Sequence, residues 1–66
     1  MRLDPAKMEE YRREAERLAL LPIEDQRAII ALHRSVADDK EVSESDRKVA
    51  RERANALERL LRLKLN

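Results

Sequence analysis

The sequence contains no glycine, cysteine, tryptophan or phenylalanine, and only one tyrosine. The absence of cysteine excludes a disulfide framework, a thiolate zinc site, an iron–sulfur cluster and a cysteine nucleophile. The absence of glycine excludes the P-loop and the dinucleotide-binding fingerprint, because both need glycine where the backbone approaches a phosphate. Glycine is also the residue that most often ends a helix in the left-handed conformation. Without it, we expect the first helix to stop at Pro22 and the second to end within the acidic segment 38–42.

Long apolar runs and an excess of one charge are missing as well. The longest apolar runs cover residues 18–23 and 28–32, far below the roughly 18 residues that a membrane-spanning helix needs. The first ten residues are too highly charged for a signal peptide. Fifteen basic and fourteen acidic residues leave a net charge of +1, which gives no overall attraction to nucleic acid or an anionic membrane. We expect a soluble, cytoplasmic protein without a membrane partner.

The residues that are present favour helices, beginning near the N-terminus. Asp4 can accept hydrogen bonds from the free backbone N–H groups of a helix start, and Pro5 suits the first helical position. From Met8 to Leu18, apolar residues recur at spacings of three and four. This spacing places them on one stripe of a helix that turns about 100° per residue. The pattern predicts a first helix over residues 5–20.

Two further helices follow from the pattern of breaks and caps. Pro22 interrupts the first helix, and a second helix is predicted over residues 22–37, with apolar residues around more than half of its circumference. Such a helix packs between two neighbours, or between one neighbour and a partner. Ser43 and Asp46 form a capping box that predicts a third helix over residues 44–64. The predicted fold is all-α, an up-down-up three-helix bundle in a single domain, 1–66.

His33 and Arg53 are polar residues on the apolar sides of their predicted helices. A lone histidine cannot form an ordinary zinc site, so we interpret His33 as a structural or interface residue, hydrogen-bonded to Tyr11 or Asp46. Two interpretations of Arg53 are open. Its methylene groups lie along the core while its guanidinium pairs with an acid of the second loop, or the side chain faces a second subunit or another protein.

The first functional hypothesis follows by elimination. A chain of 66 residues has little room for both a core and an enclosed catalytic pocket. We therefore expect no enzyme activity, cofactor, metal ion or small-molecule substrate. The hypothesis is a non-enzymatic helical scaffold or protein–protein interaction module that binds a protein partner or a second copy of itself. The candidate interface residues are Leu20, Ile30, His33, Arg53, Leu57, Leu61, Leu63 and Leu65.

The alternative hypothesis is a small nucleic-acid-associated regulator. The last twenty residues contain seven basic and two acidic side chains, and an arginine-lined helix can follow a phosphate backbone. Three features argue against it: an acidic segment directly upstream, the lack of aromatic side chains for base stacking, and the ordinary preference for basic residues at a helix C-terminus.

The sequence resembles computationally designed three-helix mini-proteins. The resemblance is carried by Leu3 placed to contact Met8, by the two helix-start signals and by a core of alanine, leucine, isoleucine and valine. It implies a helical scaffold in which surplus apolar residues serve binding or assembly. The apolar corner at residues 20–23 departs from idealised designs, which keeps a natural arginine-rich protein as the alternative.

Overall fold

The computed structural model describes residues 4–63, which form three α-helices. Helix α1 spans Pro5–Leu18, α2 spans Ile23–Asp38 and α3 spans Glu44–Leu61. The helices pack on one another, so the prediction of an all-α three-helix bundle is confirmed. The expected contact between Leu3 and Met8, and the candidate interface residue Leu65, fall outside the described residues.

Helix α1 begins as its sequence predicts. The backbone N–H of Ala6 donates to Oδ1 of Asp4 at 2.9 Å, and Pro5 occupies the first turn. This cap satisfies one of the four N–H groups that a helix start leaves without an intrahelical partner. The start of α1 is therefore encoded locally.

The first corner is longer than expected, because α1 ends at Leu18 instead of residue 20. The N–H of Leu21 donates to the carbonyl of Leu18 at 2.9 Å, so the chain leaves the helix in a tight turn before the proline. Pro22 is the N-cap of α2 and not its first helical residue, with an extended ψ of 152°. Proline disfavours helical geometry in the residue before it, which opposes continuation of a helix through Leu21.

Gln26 explains how α2 begins without a side-chain cap. Its side chain is buried, and its Nε2 donates to the carbonyl of Leu21 at 2.9 Å. This bond ties the first turn of α2 back to the corner and satisfies a carbonyl that α1 does not use. The helix continues to Asp38, one residue past the predicted end.

Helix α3 is capped as predicted at its start but ends three residues early. Ser43 Oγ accepts from the N–H of Asp46 at 3.3 Å. At the other end Arg62 adopts the left-handed conformation, with φ 57° and ψ 37°, and the N–H of Leu63 donates to the carbonyl of Glu58 at 3.0 Å. This is a Schellman-type ending. The expected extension to residue 64 was wrong, because a non-glycine residue takes the left-handed position.

The core lies where small and large side chains from all three helices meet. Ile30 and Leu57 are fully buried at its centre. Alanines of α1 and α3 let the backbones approach closely, while leucine and isoleucine fill the volume. The cluster comprises Ala15, Leu18, Ile30, Ala54 and Leu57.

Helix α3 occupies the central position in the bundle. It packs against both α1 and α2, whereas α1 and α2 touch at few points. Arg53 pairs with Glu10 on one side of the buried stripe of α1, and Leu60 shares a groove with Met8 on the other side. Both contacts belong to the packing of α3 against α1.

Candidate functional site

Four of the candidate interface leucines and isoleucines belong to the core or its edge. Ile30 and Leu57 are 0% exposed, so the expectation that they lie on an interaction surface is corrected. Leu61 and Leu63 are half-buried and pack against the core cluster. All four side chains were placed on an apolar arc by helical spacing, which does not distinguish a core position from an exposed one.

His33 is half-buried, but its partner is neither of the two expected. Its Nε2 lies 3.4 Å from Oε2 of Glu14, and only 19% of the His33 side chain is exposed. Asp46 is instead exposed at the start of α3. The contact joins α2 to α1, two helices that otherwise touch little. We assign His33 a structural role at this junction.

Arg53 reaches α1 and not the second loop, so the expected pairing with a loop acid was wrong. Its Nε lies 3.6 Å from Oε1 of Glu14, and a terminal nitrogen lies 3.8 Å from Oε1 of Glu10. The guanidinium carbon lies 5.9 Å from the centre of the Tyr11 ring, within the range of a cation–π contact. These interactions orient Arg53 along the junction of α1 and α3.

Glu14 is the residue that sequence reasoning missed. Its carboxylate contacts His33 of α2 and Arg53 of α3 at once, so one side chain joins all three helices. The sequence spacing could have identified it, because Glu14 lies three residues after Tyr11 and four before Leu18, on the buried side of α1. We call Glu10, Tyr11, Glu14, His33 and Arg53 the polar junction.

Tyr11 is the most buried member of the polar junction. It is 1% exposed, and its hydroxyl has no hydrogen-bond partner among residues 4–63. Burial raises the pKa of the Tyr11 phenol above its ordinary value of 10.0, and the negative charge of Glu52 raises it further, while Arg53 acts in the opposite direction. The phenol is therefore held in its neutral form.

The polar junction pairs opposite charges across the three helices. Each of its two carboxylates lies beside a basic side chain. Within residues 4–63, no group of three histidine, aspartate or glutamate side chains is placed to hold a metal ion. The chemistry of the junction is that of a structural ion-pair network linking three helices.

Solvent-exposed apolar side chains concentrate on another part of the molecule. Leu20 is 88% exposed, Leu32 is 62% exposed and Ile23 is 54% exposed. All three belong to α2 or to the corner before it. Leu20 is a candidate residue from the sequence, whereas Leu32 and Ile23 were missed. Their signal was the wide apolar arc of α2, which exceeds what one neighbouring helix covers.

A row of basic side chains follows the solvent side of α3. We call Lys48, Arg51, Arg59 and Arg62 the basic row; all four are exposed, and the uncharged Asn55 stands between Arg51 and Arg59 at spacings of four. Arg53 does not belong to it, because it turns toward α1. Arg47 is half-buried and lies off the row.

Comparison with protein-family models, with curated proteins and with solved structures finds no match to this chain. None of the helices described over residues 4–63 has the length and apolar character needed to cross a membrane. The resemblance to designed mini-proteins stays a prediction.

Proposed function

We propose that this chain is a non-enzymatic helical protein-interaction module that docks through the α2 side of the bundle. The observation that carries the proposal is the exposure of Leu32, which is 62% exposed between the half-buried Ile29 and Val36 on one side of α2. Burial of one large aliphatic side chain contributes about 1.5–3 kcal/mol relative to leaving it in water. A partner that covers Leu32 gains free energy that packing within the chain leaves unused.

The arrangement of the helices supports the choice of α2. Because α3 occupies the centre, α2 packs chiefly against α3 and meets α1 at few points. One part of its broad apolar arc therefore forms the core around Ile30, while another part, including Leu32, faces solvent. A helix as apolar as α2 is expected to pack either between two neighbouring helices or between one neighbouring helix and a partner. This arrangement favours the second of these.

A titration with amphipathic helical peptides tests this proposal. Amide resonances of the isotope-labelled protein are followed while a panel of synthetic peptides, identical in their leucine face and differing in charge, is added. We expect at least one peptide to shift resonances of α2, and Leu32→Asp to abolish the shifts. Asn55→Asp, an exposed substitution on α3 with the same charge change, serves as the control. A panel that leaves α2 unshifted, or binding that survives Leu32→Asp, contradicts the proposal.

The second candidate function is association with nucleic acid through the basic row. Its support is the exposure of four cations along one side of α3, since such rows can track a phosphate backbone. The only tyrosine is buried, so an exposed aromatic platform for base stacking is missing from residues 4–63. We rank this function second.

Salt-dependent binding to duplex DNA tests the second candidate. If it is correct, the protein binds at low ionic strength, and the combined substitution Lys48→Gln, Arg51→Gln and Arg59→Gln removes the binding. The matched control carries Lys7→Gln, Arg12→Gln and Arg13→Gln on α1, which lowers the net charge equally. Absence of binding at low salt, or equal losses in both variants, rules this function out.

A further inference from the structure

The exposed side of α2 carries a stripe that is apolar in the middle and acidic at both ends. Asp25, Ile29, Leu32, Val36 and Asp39 follow one another at spacings of four and three, which places them on one side of the helix. Leu32 is the exposed apolar residue, Ile29 and Val36 are half-buried, and both aspartates are exposed. We call these five residues the α2 stripe. Its aspartates are separated by about 21 Å along the helix axis, at about 1.5 Å per residue.

Basic residues of α2 do not neutralise this stripe. Arg34 lies on the side that faces α3, where its guanidinium pairs with Glu58 at 3.0 Å. Arg27 is seven residues earlier, two helical turns away, and so lies on that same side. The charge of the α2 stripe is therefore negative at both ends.

A contribution to helix stability explains the negative charge at only one of the two ends of the α2 stripe. Asp25 lies in the first turn of α2, where a negative charge interacts favourably with the helix dipole. Asp38 and Asp39 stand at the opposite end, where a negative charge is unfavourable, and the last turn contains no basic residue. Asp39 Oδ1 accepts from the N–H of Glu41 at 2.9 Å, a bond that asparagine would also make. The negative charge at this end is unexplained by the fold.

A second copy of the chain does not match the α2 stripe. Two stripes packed in either direction place aspartate against aspartate, and like charges at an interface are repulsive. The basic row on α3 has the opposite charge, but it carries no large apolar side chain to cover Leu32. A binding partner of the α2 stripe must therefore carry both positive charges and apolar side chains that cover Leu32.

On the basis of the proposed function, we infer that the α2 stripe binds a basic amphipathic helix of another protein. Apolar side chains of the partner cover Leu32 and its half-buried neighbours, while lysine or arginine near each end of the partner pairs with Asp25 and Asp39. This is helix-on-helix recognition, in which the apolar contact supplies affinity and the charges select the partner.

Two synthetic helical peptides of about 18 residues provide the test. Both carry the same leucine face; one has lysines near both ends, spaced to match the aspartates, and the other has glutamates there. Affinities are measured by fluorescence anisotropy of labelled peptide. Because two exposed ion pairs are involved, we expect the lysine peptide to bind about tenfold more tightly. The preference decreases as salt is added.

Matched variants assign the preference to the two aspartates. Asp25→Asn with Asp39→Asn removes both charges and keeps the side-chain oxygen that caps Glu41, so we expect the preference to vanish while both peptides still bind. Glu16→Gln with Glu44→Gln changes the net charge equally at exposed positions on α1 and α3. This control retains the preference. Circular dichroism of each variant verifies that its helical content is unchanged.

The possible outcomes separate the inference from the proposed function. If both peptides bind equally and Leu32→Asp abolishes both, the interaction module stands and the basic partner is wrong. If neither peptide binds, both proposals are contradicted. Sedimentation in the absence of peptide tests whether a second copy of the chain binds the α2 stripe. A dimer that Leu32→Asp disrupts would identify the second copy as the partner and overturn the inference.

Discussion

Glu14 holds Arg53 against α1, with the Arg53 Nε 3.6 Å from Oε1 of Glu14. The other carboxylate oxygen of Glu14 lies 3.4 Å from His33 Nε2. The two contacts connect the central helix and α2 to the same turn of α1. These contacts give His33 and Arg53, the polar residues on the apolar sides of α2 and α3, a partner within the chain.

A double-mutant cycle at Glu14 and Arg53 measures the strength of this junction. The side chains are 20% and 31% exposed, so solvent screening leaves an expected coupling of about 0.5–1 kcal/mol. Glu14→Gln and Arg53→Gln are combined, and free energies of unfolding are obtained from urea denaturation. The more exposed pair of Glu9 and Arg13 on α1 is the control, with an expected coupling of about 0.3–0.5 kcal/mol. A coupling at Glu14 and Arg53 below that of the control contradicts a junction between helices.

Stability is expected to fall at alkaline pH because of Tyr11. Since burial raises the pKa of Tyr11 in the folded state, the unfolded chain loses its proton first as pH rises past 10.0. The free energy of unfolding is constant for this group below that pH and decreases until the folded pKa is passed. Ultraviolet titration reports the ionisation directly, because Tyr11 is the only tyrosine.

Tyr11→Phe is the matched variant for this prediction. It removes a buried hydroxyl that has no hydrogen-bond partner among the described residues, so we expect equal or slightly greater stability at neutral pH. The alkaline loss of stability should be smaller than in the parent. If Tyr11→Phe loses as much stability at alkaline pH as the wild type, the loss comes from groups other than Tyr11.

Arg62→Gly is expected to stabilise the chain. Arg62 has a φ of 57°, and a side chain with a Cβ is strained in the left-handed region by about 1 kcal/mol. Glycine relieves this strain, so thermal unfolding of Arg62→Gly should occur at a higher temperature. Arg62→Ala removes the same charge and keeps the Cβ, so it should show no such gain. Equal stability of the two variants would contradict the left-handed ending.

Truncation of Leu57 is expected to cost far more stability than truncation of Leu32. Leu57 is fully buried, and Leu57→Ala should lower the free energy of unfolding by about 2–5 kcal/mol through lost burial and a residual cavity. Leu32 is 62% exposed, so Leu32→Ala should change stability by about 0.5 kcal/mol or less. Chemical denaturation followed by circular dichroism measures both. A large loss for Leu32→Ala would place that side chain in an interface already formed at the protein concentration used.

Local sequence signals are sufficient to place the starts of α1 and α3. Asp4 with Pro5, and Ser43 with Asp46, act through hydrogen bonds that span two or three residues, so no distant contact is needed to place them. Pro22 acts through its own ring and the residue before it. These are local interactions, and local interactions can be read from a single sequence.

Which side of each helix is buried against the other helices depends on the tertiary structure. Ile30 and Leu32 are both apolar residues of α2, yet one is fully buried and the other is mostly exposed. The difference depends on α3 taking the central position and packing against α2 on one side only, which is a property of the whole bundle. The packing of α3 against α1 likewise brings Arg53 to Glu14. Sequence spacing specifies a stripe on each helix, but the partner of that stripe depends on contacts between residues far apart in the chain.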